Sequence, residues 1–403
     1  MMGLRSLALV AVLGLAASPV ALAQKKYDPG ASDTEIRIGQ TMPYSGPASA
    51  YGTQGRAQVA YFKMINARGG INGRKVNWIS LDDAYSPPKT VEQTRKLVEE
   101  DQVLALVNSI GTPTNSAVHK YVNQKKIPHL LVSSGAAKWN DPKNFPWTTP
   151  GYPSYIQEAM VYAKHLLRNH PDAKIGVIYQ NDDFGKDYLK GFREGLGANV
   201  GKIVKEVTYE ISDPTIDSQI IALKSSGANV LFTMTTPKFG AQVIRKVAEL
   251  GWKPAHYIVS VSASQAQVLA PAGLENAVGL ITASTLKEPS DPTWDNDAGM
   301  LEYKKFMKEW FNDGDPSNTG NVYGYVVAQF AEHILKSAGD NLTRENLMKQ
   351  ATNIRALSLP LLLPGVTLTV TPDDLSTYNT FRTMRFDGKR WVLFGDPINV
   401  GAQ

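Results

Sequence analysis

Residues 36–83 read IRIGQTMPYSGPASAYGTQGRAQVAYFKMINARGGINGRKVNWISLDD, and this stretch decides the fold. It opens on one apolar run, Ile36–Met42, and closes on another, Val76–Asp82. Between them, Tyr51–Arg68 sets Ala57, Ala60, Tyr61, Met64 and Ile65 at i, i+3, i+4, i+7 and i+8, the apolar stripe of an amphipathic helix. Gly69-Gly70 stop that helix with a left-handed cap, and Ile71-Asn72-Gly73 turn the chain into the next strand. The unit is strand, helix, strand.

Working outward, the unit recurs. Val103–Asn108 and His129–Val132 complete a first set of strands, with a helix opened by Pro87-Pro88. Ile175–Tyr179, Ile203–Tyr209, Val230–Thr233 and Tyr257–Ser260 form a second set, with helices at Gly185–Leu196, Ile216–Ser225 and Phe239–Leu250. Each set reads β-α-β-α-β-α-β, a parallel sheet covered by helices on both faces. Beyond Ile281 the rhythm changes to helical stretches at Thr293–Phe311, Asn321–Ser337 and Thr343–Ala351. Strand-like pieces follow at Val366–Val370, Phe381–Phe386 and Trp391–Phe394, the last two joined by an Asp387-Gly388 hairpin signal. This material is expected to return to the first lobe with helices and to finish in the second with strands. The expected lobes are residues 24–149 with 283–360, and 150–282 with 361–403, joined by several crossovers that serve as hinges.

Residues 1–23 read as a secretory signal: Arg5, the apolar run Leu7–Ala17, and Ala21-Leu22-Ala23 before Gln24. The run is too short to span a membrane. The chain contains no cysteine, which excludes disulfides, thiolate nucleophiles, Cys-bound metals and a lipid anchor at the cleavage site. A free periplasmic monomer is the expectation. The 42 basic and 37 acidic residues are dispersed, with no basic run and no Arg-rich aromatic stripe, so nucleic acid is not an expected partner.

Two open α/β sheets side by side bind ligands where the carboxyl ends of their strands face each other. The first lobe's strands run into Pro43–Pro47 and Tyr51, into Ser109-Ile110-Gly111-Thr112-Pro113, and into Ser133-Ser134-Gly135. Thr112 reads as an N-cap and Pro113 as the first helical residue, leaving backbone N–H groups that suit a carboxylate. Gly135 lets a backbone approach a ligand. The second lobe repeats the device with Thr235-Thr236-Pro237, Ser260-Val261-Ser262, and Gln180–Gly185 with Phe184. Tyr152, Tyr155, Tyr323 and Tyr325 lie near the expected crossovers, and Tyr155 and Tyr325 are taken as cleft walls. Each residue also has an ordinary reading: helix opener, turn or core packing. Asp182, Asp183 and the pair Asp82-Asp83 read foremost as capping or turn-fixing groups.

Pro43–Pro47, Tyr51-Gly52, Ile65-Asn66, Gly69–Arg74 and Asp82-Asp83, with Asn181–Gly185, Pro237–Gly251 and Asn321–Tyr325, closely resemble the solute-binding proteins of branched-chain amino acid ABC transporters. The resemblance implies a type I periplasmic-binding-protein fold: two Rossmann-like lobes, three crossover strands and a small ligand closed between them. It also implies delivery to permease subunits driven by ATP hydrolysis on partner subunits, and the residues themselves imply no cofactor or metal. Under it, Tyr51 and Tyr325 match aromatic walls, Gly111-Thr112 a carboxylate site, and Ser133–Ala137 the second strand-end loop. Phe184 and Thr235 stand where tyrosines are usual.

The informative departure is Ser260-Val261-Ser262, where the amino-acid binders place an acid against the ligand's ammonium and this chain has none. An unpaired buried cation is costly, so the expected ligand is a small or aromatic carboxylate or an amide rather than a standard α-amino acid. A true branched-chain amino acid binder and a ligand-sensing receptor component are the alternatives. An enzyme is disfavoured, because His119, His129, His165, His170, His256 and His333 form no catalytic motif with their neighbours.

Overall fold

The computed structural model describes residues 25–400, so the signal segment lies outside the described residues. Twelve strands in two sheets position the site; they are numbered β1–β12 in chain order. The first sheet holds β1 (Glu35–Met42), β2 (Lys75–Asp82), β3 (Ala105–Val107), β4 (His129–Val132) and β5 (Thr148–Pro150), in the order β2-β1-β3-β4-β5 and all parallel. The second holds β6 (Ile175–Gln180), β7 (Ile203–Tyr209), β8 (Val230–Met234), β9 (Ala255–Ile258), β10 (Ile281–Ser284), β11 (Thr380–Phe386) and β12 (Trp391–Asn399). Its order is β12-β11-β10-β9-β8-β6-β7, parallel from β7 to β10 and antiparallel through the closing hairpin.

In both sheets the strand order therefore reverses at the same place. In the first, β1 lies between β2 and β3; in the second, β6 lies between β7 and β8. These are the topological switch points, and the loops leaving β1, β3, β6 and β8 open on them. Continuous apolar runs such as Val230–Met234, buried at every residue, fit strands covered on both faces.

The Gly52–Ala67 helix buries Ala57, Ala60, Tyr61, Met64 and Ile65, the stripe read from the sequence. It packs with the 20-residue helix Thr319–Ala338 in the first core. The chain crosses between lobes after Pro150, after Ser284 and between Tyr378 and Thr380. The last crossing corrects the expected boundary at residue 361. Leu368–Val370 pairs antiparallel with Ile354–Leu357 instead of with the second sheet, and Leu361, Val366, Leu375 and Tyr378 are buried in the first core. Residues 361–378 thus pack with the first lobe. The first and last crossings are clasped, because Thr377 Oγ1 donates to the Pro150 carbonyl at 2.8 Å.

Candidate functional site

Between the lobes lies a cavity partly open to solvent. Tyr51, Gly111 and Ser133 line it from the first lobe, and Phe184, Thr236 and Ser260 from the second. Tyr155, first residue of the Tyr155–Asn169 helix, lines it just beyond the first crossing. All three crossings contribute: Tyr152 and Pro153, then Ala283–Leu286, then Phe381.

The first lobe's rim is fixed from behind. Gly111, not Thr112, is the N-cap of the Thr112–Gln124 helix; its φ is +105°, and a Cβ there would stand 2.5 Å from the Tyr85 ring. Thr112 is buried and shares a 2.7 Å hydrogen bond with Ser134 Oγ, which also accepts from Trp139 Nε1 at 2.8 Å. These two hydroxyls fasten neighbouring loops and lie outside the cavity lining. Ser109 likewise turns inward, its Oγ accepting the Thr41 N–H at 3.1 Å. A Cβ on Gly135 would fall 1.9 Å from the Pro153 carbonyl oxygen, so the missing side chain admits the crossing segment.

Three further expectations are redirected. Thr235 is buried, and its carbonyl accepts from the equally buried Ser262 Oγ, so both hold the β8 and β9 loops together. Tyr325 sits in the first core with its ring 4.9 Å from Phe306 and 5.2 Å from Tyr61. Tyr323, two residues earlier, lines the cavity instead. Its hydroxyl donates to the Gly151 carbonyl at 3.1 Å and accepts from Asn108 Nδ2 at 3.2 Å and Ser133 Oγ at 3.3 Å.

Sequence reasoning passed over Tyr85, although its anchor was legible. Asp82 Oδ1 accepts the N–H groups of Tyr44 and Ala84 at 2.9 and 3.0 Å, and Asp83 Oδ1 accepts that of Tyr85 at 3.0 Å. The acid pair fixes the turn that delivers Tyr85, at φ +58°, to the cavity. Tyr51, Tyr85 and Tyr152 are buried deeply enough that desolvation pushes their phenols well above the usual range, so these rings remain neutral donors at any physiological pH.

Behind the second lobe's rim lies Glu158, fully buried. It accepts from Tyr162 Oη at 2.6 Å, Tyr188 Oη at 2.8 Å, and both the N–H and Oγ of Ser260 at 2.8 Å. Burial pushes its carboxyl upward, and the four donors pull the other way. Because a carboxylate only accepts, Ser260 spends its own proton on Glu158. Its Oγ also lies 3.0 Å from Tyr152 Oη, and what it shows the cavity is a lone pair.

Only one residue of the described lining is charged, Glu288, and no Lys or Arg joins it. Thr319 Oγ1 donates to its carboxylate at 2.7 Å, the Ser290 N–H donates as well, and Ser290 Oγ shares its proton between Glu288 at 3.1 Å and Gln265 Oε1 at 2.9 Å. Burial pushes this carboxyl up to about 7. No sequence signal marked it, since it lies in the irregular segment after β10. Asp182 and Asp183 are occupied elsewhere. Asp182 caps the Asp183–Leu196 helix through the N–H groups of Phe184 and Gly185, and Asp183 pairs with Lys138 at 2.6 Å.

The buried histidines serve packing. His119 stacks on Phe145 with centroids 3.9 Å apart, His129 meets Asn115 at 2.9 Å, and His256 meets Thr233 at 2.8 Å; none lines the cavity. Among the described residues no cluster of His, Asp and Glu has the makings of a metal site.

This architecture matches known proteins along nearly its whole length. The family model described as periplasmic binding protein matches residues 35–390. The chain belongs to the periplasmic binding protein family. Among curated members it is 26% identical over 338 residues to a Leu/Ile/Val-binding protein homolog 1 of Brucella suis, covering 81% of this chain and 85% of that one. An amino acid binding protein of Pseudomonas aeruginosa is 24% identical over 263 residues, 62% of this chain and 63% of that protein. In three dimensions a branched-chain amino acid ABC transporter protein of Thermus thermophilus, solved with bound valine, aligns with a TM-score of 0.81. That alignment covers 91% of this chain and 97% of the other at 17% identity, which establishes the type I fold. Periplasmic binding proteins of this family are solute binders, a non-enzyme class, that work with ABC transporter components. Among the described residues of this member, no helix is long and apolar enough to cross a membrane.

Proposed function

We propose that this protein closes on one small organic solute and presents the closed form to the permease subunits of an ABC uptake transporter. The observation that carries the reading is the composition of the cavity wall: strand-end loops of both lobes and all three crossings. A solute there touches both halves at once, and it stabilises the closed arrangement by its differential affinity for that arrangement. The lobes already meet around it. Gln267 Nε2 donates to the Ala50 carbonyl at 2.7 Å, and the Ala137 N–H donates to Asp187 Oδ2 at 2.8 Å. Ile211 of the second lobe packs against Met42, Ala48, Tyr85 and Ile110 of the first.

The rings of Tyr51, Tyr85, Tyr155, Phe184 and Tyr323 suit an aromatic or apolar body. The Gly111 N-cap, Ser133 and Thr236 suit a carboxylate or amide on it. The protein works as a monomer in the periplasm and needs no resident cofactor. Glu288 favours a second reading for the head group. The lining does hold an acid, from outside the 260–262 loop, which readmits amino acids of the kind named for the Brucella and Thermus relatives.

Mass spectrometry of the solute released on denaturing the exported protein identifies the ligand. Adding that solute back to refolded protein is expected to lower the radius of gyration in small-angle scattering. If every compound that binds leaves the radius unchanged, capture by closure is wrong.

A further inference from the structure

Three fully buried amides stand in line through the first lobe's core: Gln40 on β1, Gln58 on the Gly52–Ala67 helix, and Asn108 just after β3. None of them lines the cavity. Chemistry at the two ends of the line dictates how each is turned. At one end, Gln40 Oε1 faces the Trp78 indole N–H at 3.3 Å, a group that can only donate. At the other, Asn108 Nδ2 faces the Leu131 carbonyl at 2.7 Å, a group that can only accept. Between these ends Gln40 Nε2 donates to Gln58 Oε1, and Gln58 Nε2 donates to Asn108 Oδ1 at 2.7 Å. Every amide therefore points the same way. Turning one over would set like groups face to face in the interior.

The line leads out to a crossing. Asn108 Nδ2 also donates to Tyr323 Oη at 3.2 Å, which leaves the phenol's own proton for the Gly151 carbonyl, 3.1 Å away. Gly151 is the first residue past β5, on the first crossing. Asn108 reaches that crossing by a second route. Leu131, whose carbonyl it holds, stands at φ +53°, unfavourable for a leucine, and gives its N–H to Thr149 Oγ1 at 3.0 Å. A Cβ on Gly151 would lie 2.4 Å from the Leu131 carbonyl oxygen, so the crossing runs directly against this strained residue.

We infer that Gln40, Gln58 and Asn108 are positioning residues that aim the Tyr323 hydroxyl at the first crossing and so set the pivot about which the lobes close. The inference rests on the solute-capture reading in one respect, that this crossing is a hinge. It gives Tyr323 two duties, a ring for the cavity and a hydroxyl for the pivot.

The full mature protein is compared with Gln58→Met, Gln58→Glu and Tyr323→Phe at pH 5.5, without added solute, by hydrogen exchange read in a mass spectrometer. Gln58→Met removes the donor to Asn108, so residues 149–152 are expected to exchange about tenfold faster, while residues 230–234 of β8 stay within about twofold. Tyr323→Phe cuts the last link and should do the same. Gln58→Glu should behave as the parent. A buried carboxyl without a cation keeps its proton at this pH, so its C=O accepts from Gln40 and its O–H donates to Asn108. Unchanged exchange at 149–152 in either Gln58→Met or Tyr323→Phe, or an equal rise at 149–152 and 230–234, overturns the inference. So does a Gln58→Glu protein that exchanges like Gln58→Met. Should Gln58→Met fail to fold, Tyr323→Phe and Gln58→Glu decide by the same criteria.

Leucine, phenylalanine and 3-phenylpropanoate are then titrated calorimetrically at the same pH. Whichever binds the parent should bind Gln58→Met about tenfold more weakly and Gln58→Glu within about twofold, although position 58 lies outside the cavity wall. Equal affinity in Gln58→Met overturns the inference; if none of the three binds, exchange decides alone. Scattering separates the two readings. Exchange as expected with no compaction by any bound compound leaves the aim of Tyr323 standing and defeats capture, whereas compaction with unchanged exchange defeats the inference and leaves capture standing.

Discussion

Glu158 and Glu288 are both buried carboxylates near the same cavity, and they differ in what surrounds them. Glu158 sits behind the rim with two phenols, a hydroxyl and a backbone N–H pointed at its oxygens. Glu288 sits in the wall with two hydroxyls, the Ser290 N–H and no cation. The first acid is saturated and acts as a fastener, orienting Ser260 and closing the second lobe's core. The second has neutral donors but no counter-charge, and it opens on the cavity. An interior charge does structural work when the protein supplies all its donors, and becomes a binding determinant when it does not.

The largest expected effect breaks the fastener. Glu158→Leu strands two phenols, a hydroxyl and an N–H in the interior and should cost about 3 kcal/mol or more in urea unfolding. A loss below about 1 kcal/mol would show that water reaches this network and would erase the contrast.

Next comes the pH profile of the unliganded protein. Glu288 has its carboxyl raised to about 7 in the folded state, so between its unfolded value and 7 the folded chain binds more protons. Stability should therefore fall as pH rises from about 4.5 to about 7 and then level. This group accounts for on the order of 3 kcal/mol of that fall. Glu288→Gln should remove this component, and a slope of equal size in the variant would assign it elsewhere.

A smaller change sharpens the comparison at Ser260. Ser260→Ala leaves Glu158 three of its four donors, so unfolding should lose only about 1 kcal/mol. Affinity for the co-purifying solute should fall about tenfold through the lost acceptor. Smallest of all, Tyr325→Phe should leave that affinity within about twofold, because the ring lies in the first core.

What the sequence disclosed follows from periodicity. Strands such as Glu35–Met42 and Ile203–Tyr209, and the helix ending at Gly69-Gly70, advertise themselves by spacing and punctuation. So do the strand-end loops that reach the cavity through Gly111, Ser133, Thr236 and Ser260. Choices between close neighbours were not legible. Tyr323 and Tyr325 differ by about 200° around their helix, and only tertiary packing says which side meets the cleft. Thr235 and Thr236 pose the same problem at a strand end. Glu288 carried no signal, because the segment after β10 has no period and its destination depends on where the crossing lands.

The chain passes between its halves three times, and the outer passages are bonded through Thr377 and Pro150. A single tether would let one half swivel freely about the other. A triple one leaves a door on a long hinge, free to swing and unable to wobble. Each swing then brings the same atoms opposite one another, so recognition here is a matter of repeatable alignment, and a protease nick in any one passage would still leave the door on its frame.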